Sequence, residues 1–173
     1  RLLRVVVDEL VRAGTLPFYQ SLAARPGFVT ILDDFIAELK GARIEPATLI
    51  ATLDDQRQPP RLRELAAIYA RYQYYLQANR WADRAGVGWL ALEQVEQPAY
   101  VWPVAWSPLF FDGFDSFTKV QLAMLAAVAR KAAEVVVTLT GSAAALRGEQ
   151  PVHPAHQLFV ETAGFLRQAL GVE

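Results

Sequence analysis

The stretch that most constrains how this chain can fold is residues 109–121, Leu-Phe-Phe-Asp-Gly-Phe-Asp-Ser-Phe-Thr-Lys-Val-Gln. Leu109 to Phe111 read as a short buried strand, and Asp112-Gly113 ends it in an acidic turn. Thr118 and Gln121 stand at the spacing of a capping box, in which each side chain satisfies an amide left unpaired at a helix start. A strand that ends in such a turn and opens a helix is where ligands bind in an open α/β sheet. Helical periodicity runs on from about Lys119 to Lys131, and Val135 to Leu139 form a second apolar run. Two nearly continuous apolar strands around a helix suit a parallel sheet covered on both faces, with a right-handed crossover.

Upstream, the period is helical throughout. Leu3, Val6 or Val7, Leu10 and Val11 recur at helical spacing, although Val5-Val6-Val7 alone also fits a strand. Phe28, Ile31, Leu32, Phe35, Ile36 and Leu39 make one stripe, with Gly41 as the expected cap. Pro46 opens a short third helix faced by Leu49, Ile50 and Leu53. After the polar loop 54–60, the strongest helix carries Leu62, Leu65, Tyr69, Tyr72 and Leu76, and a weaker one spans Asp83 to Val95 around Gly86 and Gly88. Residues 98–108 hold three prolines and two tryptophans, a poor helix or central strand. The expected division is therefore a helical subdomain at 1–97 and an α/β part at 98–173. A loop follows at 141–150, with a helical turn at Ser142 to Leu146. The closing helix from Pro154 to Leu170 is faced by Leu158, Phe159, Thr162, Phe165, Leu166 and Leu170.

Composition excludes several classes. The 17 basic and 18 acidic residues leave a formal charge of −1, so no whole-chain field draws the protein to nucleic acid or an anionic membrane. With no cysteine there is no disulfide scaffold, thiolate metal site or thiol nucleophile, which fits a reducing cytoplasm. No apolar run reaches the roughly 20 residues of a membrane helix, so a soluble protein with no membrane partner is expected. The chain starts at Arg1, without methionine and inside what reads as an element, so it is expected to be a piece of something longer.

At Asp112 and Asp115 two readings compete. Carboxylates at the end of a strand hold a magnesium ion against phosphate oxygens in many nucleotide enzymes. The same residues also serve simple turns by accepting local backbone amides. Tyr69, Tyr72, Tyr74, Tyr75 and Trp81, mixed with Arg71 and Arg80, either pack a core or form a stacking platform for single-stranded bases. His153 and His156 stand three apart, but zinc needs a third or fourth ligand and none is near in sequence. No phosphate-cradling Gly-x-x-x-x-Gly-Lys-Ser/Thr loop is present, and Lys40, Lys119 and Lys131 do not follow glycine-rich turns. There is no nucleophile-elbow serine and no clustered carboxylate-lysine nuclease signature, so no catalytic residue is assigned.

The segment Leu62 to Leu76 (LRELAAIYARYQYYL), then Phe110 to Gln121 (FFDGFDSFTKVQ) and Val135 to Thr140 (VVVTLT), resembles the AddB (RexB) family over about residues 27–140. These are the B subunits of ATP-dependent helicase-nucleases that process DNA double-strand ends, and they look like superfamily 1 helicases whose helicase activity has decayed. The resemblance implies an α/β fold, mostly α by content, in which a helical insertion rides on part of the parallel sheet of a P-loop NTPase. It puts Asp112 at the magnesium-associated position of the Walker B motif, with Asp115 beside it. Gly113 then stands where active helicases carry the glutamate that orients the attacking water. The phosphate loop would lie upstream of Arg1 and a nuclease domain far downstream, so magnesium and ATP would belong to the full-length parent. The implied partners are DNA and a second, helicase-nuclease subunit. Two alternatives stay open: a nucleotide-dependent hydrolase or phosphotransferase whose magnesium is held by Asp112 and Asp115, and a helical protein-interaction module.

Overall fold

A computed structural model describes residues 1–55, 58–101, 108–149 and 153–171. The chain divides into two compact units, Arg1–Val87 and Gly88–Glu173. The middle of the expected 54–60 loop, most of the 98–108 junction with both its tryptophans, and the end of the 141–150 loop lie outside the described residues.

The first unit is helical: α1 (Leu2–Arg12), α2 (Gln20–Ala23), α3 (Pro26–Gly41), α4 (Pro46–Asp55), α5 (Pro60–Asn79) and the start of α6 (Arg84–Glu96). The Val5-Val6-Val7 run is helix, because its apolar residues join a stripe rather than alternate. Val6 and Val7 are fully buried while Val5 faces out. Leu3, Leu16, Phe28, Leu32, Ile36 and Ile68 form one core with Tyr69, Tyr72 and Leu76. The α3 stripe is narrower than expected, since Ile31 lies exposed on its flank.

Proline at the first turn starts α3 and α5, where its missing N–H costs nothing. The ends follow a different rule from the one expected. The α3 helix runs through Gly41, and the left-handed residue that closes it is Arg43, at φ 57°. The N–H of Ile44 reaches back to the Leu39 carbonyl (2.9 Å). The α5 terminus repeats this with Arg80 at φ 54° and Trp81 N–H donating to Leu76 O at 2.8 Å. In both, the reach-back bond offsets the ~1 kcal/mol that a side chain costs in the left-handed region, and at α3 the burial of Leu39 and Lys40 adds to it.

Among the described residues, the buried charges of this unit have partners. Lys40, only 2% exposed, donates to Asp83 at 2.7 Å and lies over the Tyr72 ring. Burial alone would raise the Asp83 carboxyl, but bonds from Lys40, the Gly86 amide and Tyr72 outweigh it and hold the carboxyl below its usual range. Glu64 accepts from the amides of Phe18 (2.9 Å) and Tyr19 (3.1 Å), pinning the α1–α2 connection to α5. The Tyr69 hydroxyl donates to Ile44 O at 3.0 Å, and burial pushes its pKa up to about 12.

The second unit holds the rest of α6, β1 (Leu109–Phe111), α7 (Lys119–Ala129), β2 (Val135–Val137), α8 (Ala143–Leu146) and α9 (Pro154–Leu170). The α7 helix ends two residues before Lys131, and β2 stops before Thr138 and Leu139. The strands pair in parallel with register Leu109↔Val135, Phe110↔Val136 and Phe111↔Val137. Leu92 of α6 packs with Val120 and Ala127 of α7, and α9 packs on α7 and α8. Among the described residues the sheet has two strands, so the expected cover on both faces is absent: Phe110 is 69% exposed. Likewise Leu158 and Phe165 point outward, while Thr162 and Leu166 of the expected face are buried and Ala163 joins them. Its apolar stripe is wider than the surface that α7 and α8 offer it.

Candidate functional site

The acidic turn is built by the sheet register. Because Leu109 pairs with Val135, the first residue past β1 lies level with the first past β2, which brings Asp112 opposite Thr138. The Thr138 amide extends the ladder by donating to Phe111 O at 2.9 Å, and its hydroxyl donates to Asp112 Oδ1. Gly113 then takes φ +78°, a left-handed turn that a side chain would strain, and the chain leaves the sheet. Phe114 and Phe117 stack with centroids 4.8 Å apart. The helix after the turn starts as its sequence predicts. Gln121 N–H donates to Thr118 Oγ1 (3.2 Å) and Thr118 N–H to Gln121 Oε1 (2.7 Å), a complete capping box.

Asp112 and Asp115 are both exposed, yet they are held differently. Asp112 is fixed through its carboxylate by Thr138, and Asp115 through its backbone carbonyl, which accepts from Thr162 Oγ1 at 3.3 Å. Among the described residues neither carboxylate accepts a backbone amide, as a plain turn residue would. The donor set suits a magnesium ion that keeps its waters and takes one carboxylate, since Asp112 is exposed and has a second oxygen besides the one bonded to Thr138. It does not suit a cage built from protein alone. No group of three or more histidine, aspartate or glutamate side chains converges among the described residues, and the rings of His153 and His156 stand 6.3 Å apart without a third ligand.

The aromatic run on α5 resolves into two sets. Tyr69 and Tyr72 belong to the core, and Tyr75 donates to Glu9 at 2.8 Å. Only Tyr74 and Trp81 are exposed, at 56% and 57%. Arg71 lies over the rings of Tyr74 and Tyr75 and is ion-paired with Glu9, whose carboxyl is lowered by the hydrogen bonds from Arg71 and Tyr75. The five-ring platform is thus a core with a two-ring fringe, and its central arginine is already neutralised.

Sequence reasoning does not reach Thr138 and Thr162 as site residues. The signal for Thr138 is its 26-residue offset from Asp112, which equals the strand offset, but a parallel register is not fixed until both strands are in place.

Known proteins resemble the chain along most of its length. The family described as "ADDB, N-terminal" matches residues 2–170. Several similar proteins are named as the B subunit of an ATP-dependent helicase/deoxyribonuclease. The one from Moorella thermoacetica is 33% identical over 145 residues, covering 79% of this chain and 12% of that protein. Those from Alkaliphilus metalliredigens and Alkaliphilus oremlandii are 28% and 24% identical, over 80% and 99% of this chain and 12% and 15% of their own lengths. The chain therefore spans only about an eighth of the length of these relatives. Among the described residues no helix is long and apolar enough to cross a membrane. With nearly its whole length matched, the chain belongs to the AddB family, as part of its N-terminal region.

Proposed function

We infer that this chain is a catalytically silent, helicase-like portion of a cytoplasmic protein that processes DNA ends for recombinational repair, where it supports DNA guidance and packing against a partner helicase-nuclease subunit. The observation that carries the reading is Asp112, placed at the carboxyl end of a parallel strand with Gly113 next to it. An aspartate there keeps a magnesium contact in a P-loop motor, and a glycine in the next position supplies no base to orient water. ATP bound by the parent would bring the phosphates that a lone aspartate needs in order to hold the ion. This chain's own part is to keep the carboxylate in place through Thr138, with Asp115 at the rim of the same turn. The names of the relatives support the assignments to DNA and to a multi-subunit complex. Charge is also uneven: residues 1–87 carry twelve Lys and Arg against ten Asp and Glu, while residues 88–173 carry five against eight. The helical unit is the more favourable of the two for a phosphate backbone.

Substitution at the turn tests the reading. In the intact protein, Asp112→Ala should leave the thermal midpoint unchanged and abolish magnesium-dependent binding of a fluorescent ATP analogue. A lowered thermal midpoint with nucleotide binding retained would make Asp112 a turn residue and nothing more.

A further inference from the structure

Two turns leave the carboxyl edge of the sheet, one after β1 and one after β2, and a single helix touches both. From α9, the buried Thr162 hydroxyl donates to the carbonyl of Asp115 in the first turn at 3.3 Å. Nearly one helical turn earlier, the Phe159 ring lies against Gly141 in the second, so close that a Cβ built there would overlap the ring. Nothing larger than glycine fits between that backbone and the ring. Phe159 and Thr162 are three residues apart and so share one face of α9. The helix is itself held by packing on α7 and α8, and α8 begins with Ser142 as its cap, directly after Gly141.

We propose that α9 is a strap that fixes the two turns relative to each other, so that Thr162 and Phe159 are positioning residues for the Asp112–Thr138 contact. The strap acts at both ends of that contact. Thr162 holds the segment that follows Asp112, and Phe159 holds the segment that follows Thr138. Loosening either grip frees the other turn as well, because the Asp112–Thr138 hydrogen bond is shared between them. The proposal deepens the reading of Asp112 as a retained ion contact and rests on it for its functional meaning. The mechanical claim is tested without nucleotide or magnesium, so the two can fail separately.

Thr162→Val keeps the shape of the side chain and removes the donor. Hydrogen exchange of the intact protein, followed by mass spectrometry, should show roughly fivefold faster exchange at residues 112–116 and also at 138–142, the opening factor expected from one lost hydrogen bond. Residues 120–128 of α7 should be unchanged, and Thr162→Ser should restore the original rates. Acceleration confined to 112–116 would overturn the strap, and so would acceleration shared by α7, which would mean general loosening. Gly141→Ala approaches from the other side: displacing Phe159 should speed exchange at 112–116, Phe159→Ala should do the same, and unchanged rates at 112–116 in both variants would overturn the strap. If Gly141→Ala does not fold, the Thr162 pair decides the matter alone.

Discussion

The two units treat their apolar residues differently. In residues 1–87 the stripes of α1, α3 and α5 meet in one continuous core, and both the buried lysine and the buried glutamate have partners within the unit. In residues 88–173 a small cluster around Leu92 and Val120 is buried, while Phe110 on the sheet and Leu158 and Phe165 on α9 face outward. The first unit has the larger closed core, although Phe18, Ile31 and Trp81 lie exposed at its surface. The second carries apolar surface of the kind that parallel sheets normally cover on both faces, and among the described residues each of its two strands has one edge without a partner strand. Its ordered features are concentrated instead at the carboxyl edge of the strands, where the capping box, the Asp112–Thr138 bond and the α9 contacts lie.

The sharpest way to break this contrast is to remove the same kind of bulk from each unit. Leu32→Ala, in the closed core, should cost about 3 kcal/mol in denaturant unfolding. Phe110→Ala, on the open sheet face, should cost less than about 0.5 kcal/mol, as exposed substitutions do. Equal effects would mean that the sheet face is not free in the intact protein.

Next in size, Lys40→Ala should destabilise the first unit by about 2 kcal/mol. That is below the usual range for breaking a buried pair, because Asp83 keeps some contact with water. The same pair predicts an acid response. The Asp83 carboxyl is depressed in the folded state, so its contribution is complete above the ordinary carboxylate pKa of about 4 and is lost as the pH falls through the lower folded value. Stability measured from pH 6 down to pH 2 should therefore fall more steeply in the unsubstituted protein than in Lys40→Ala.

The smallest change has the opposite sign. Arg80→Gly relieves the left-handed strain at the end of α5 and should raise stability by about 0.5 kcal/mol, seen as a small upward shift of the unfolding midpoint.

How much of the fold is legible in the sequence follows from the range of each interaction. Local signals are readable: the stripes of α1, α3 and α5, the Pro46 start of α4, the two strands to within two residues, and the capping box at Thr118 and Gln121. Each depends on residues a few positions apart. The features that escape depend on distant partners. Lys40 and Glu64 have the composition of surface residues, and only Asp83, 43 positions away, and the amides of Phe18 and Tyr19 make their burial tolerable. The arginines that close α3 and α5 occupy positions where glycine is the usual signal. At the candidate site Asp112 is legible from its turn, whereas Thr138 and Thr162 depend on a strand register and a helix docking that no local pattern encodes. The tyrosines of α5 divide between core and surface according to which side of the helix faces the rest of the helical unit.

The central claim is that the chain serves DNA guidance while its retained aspartate is not a catalytic group. The direct measurement titrates labelled single-stranded and duplex DNA ends into the intact protein at several salt concentrations, with and without Asp112→Ala. Binding should weaken steadily as salt rises, with the same slope in both proteins, because phosphate contacts dominate and Asp112 makes none of them. Binding that is absent at low salt, or that does not respond to added salt, would contradict the claim.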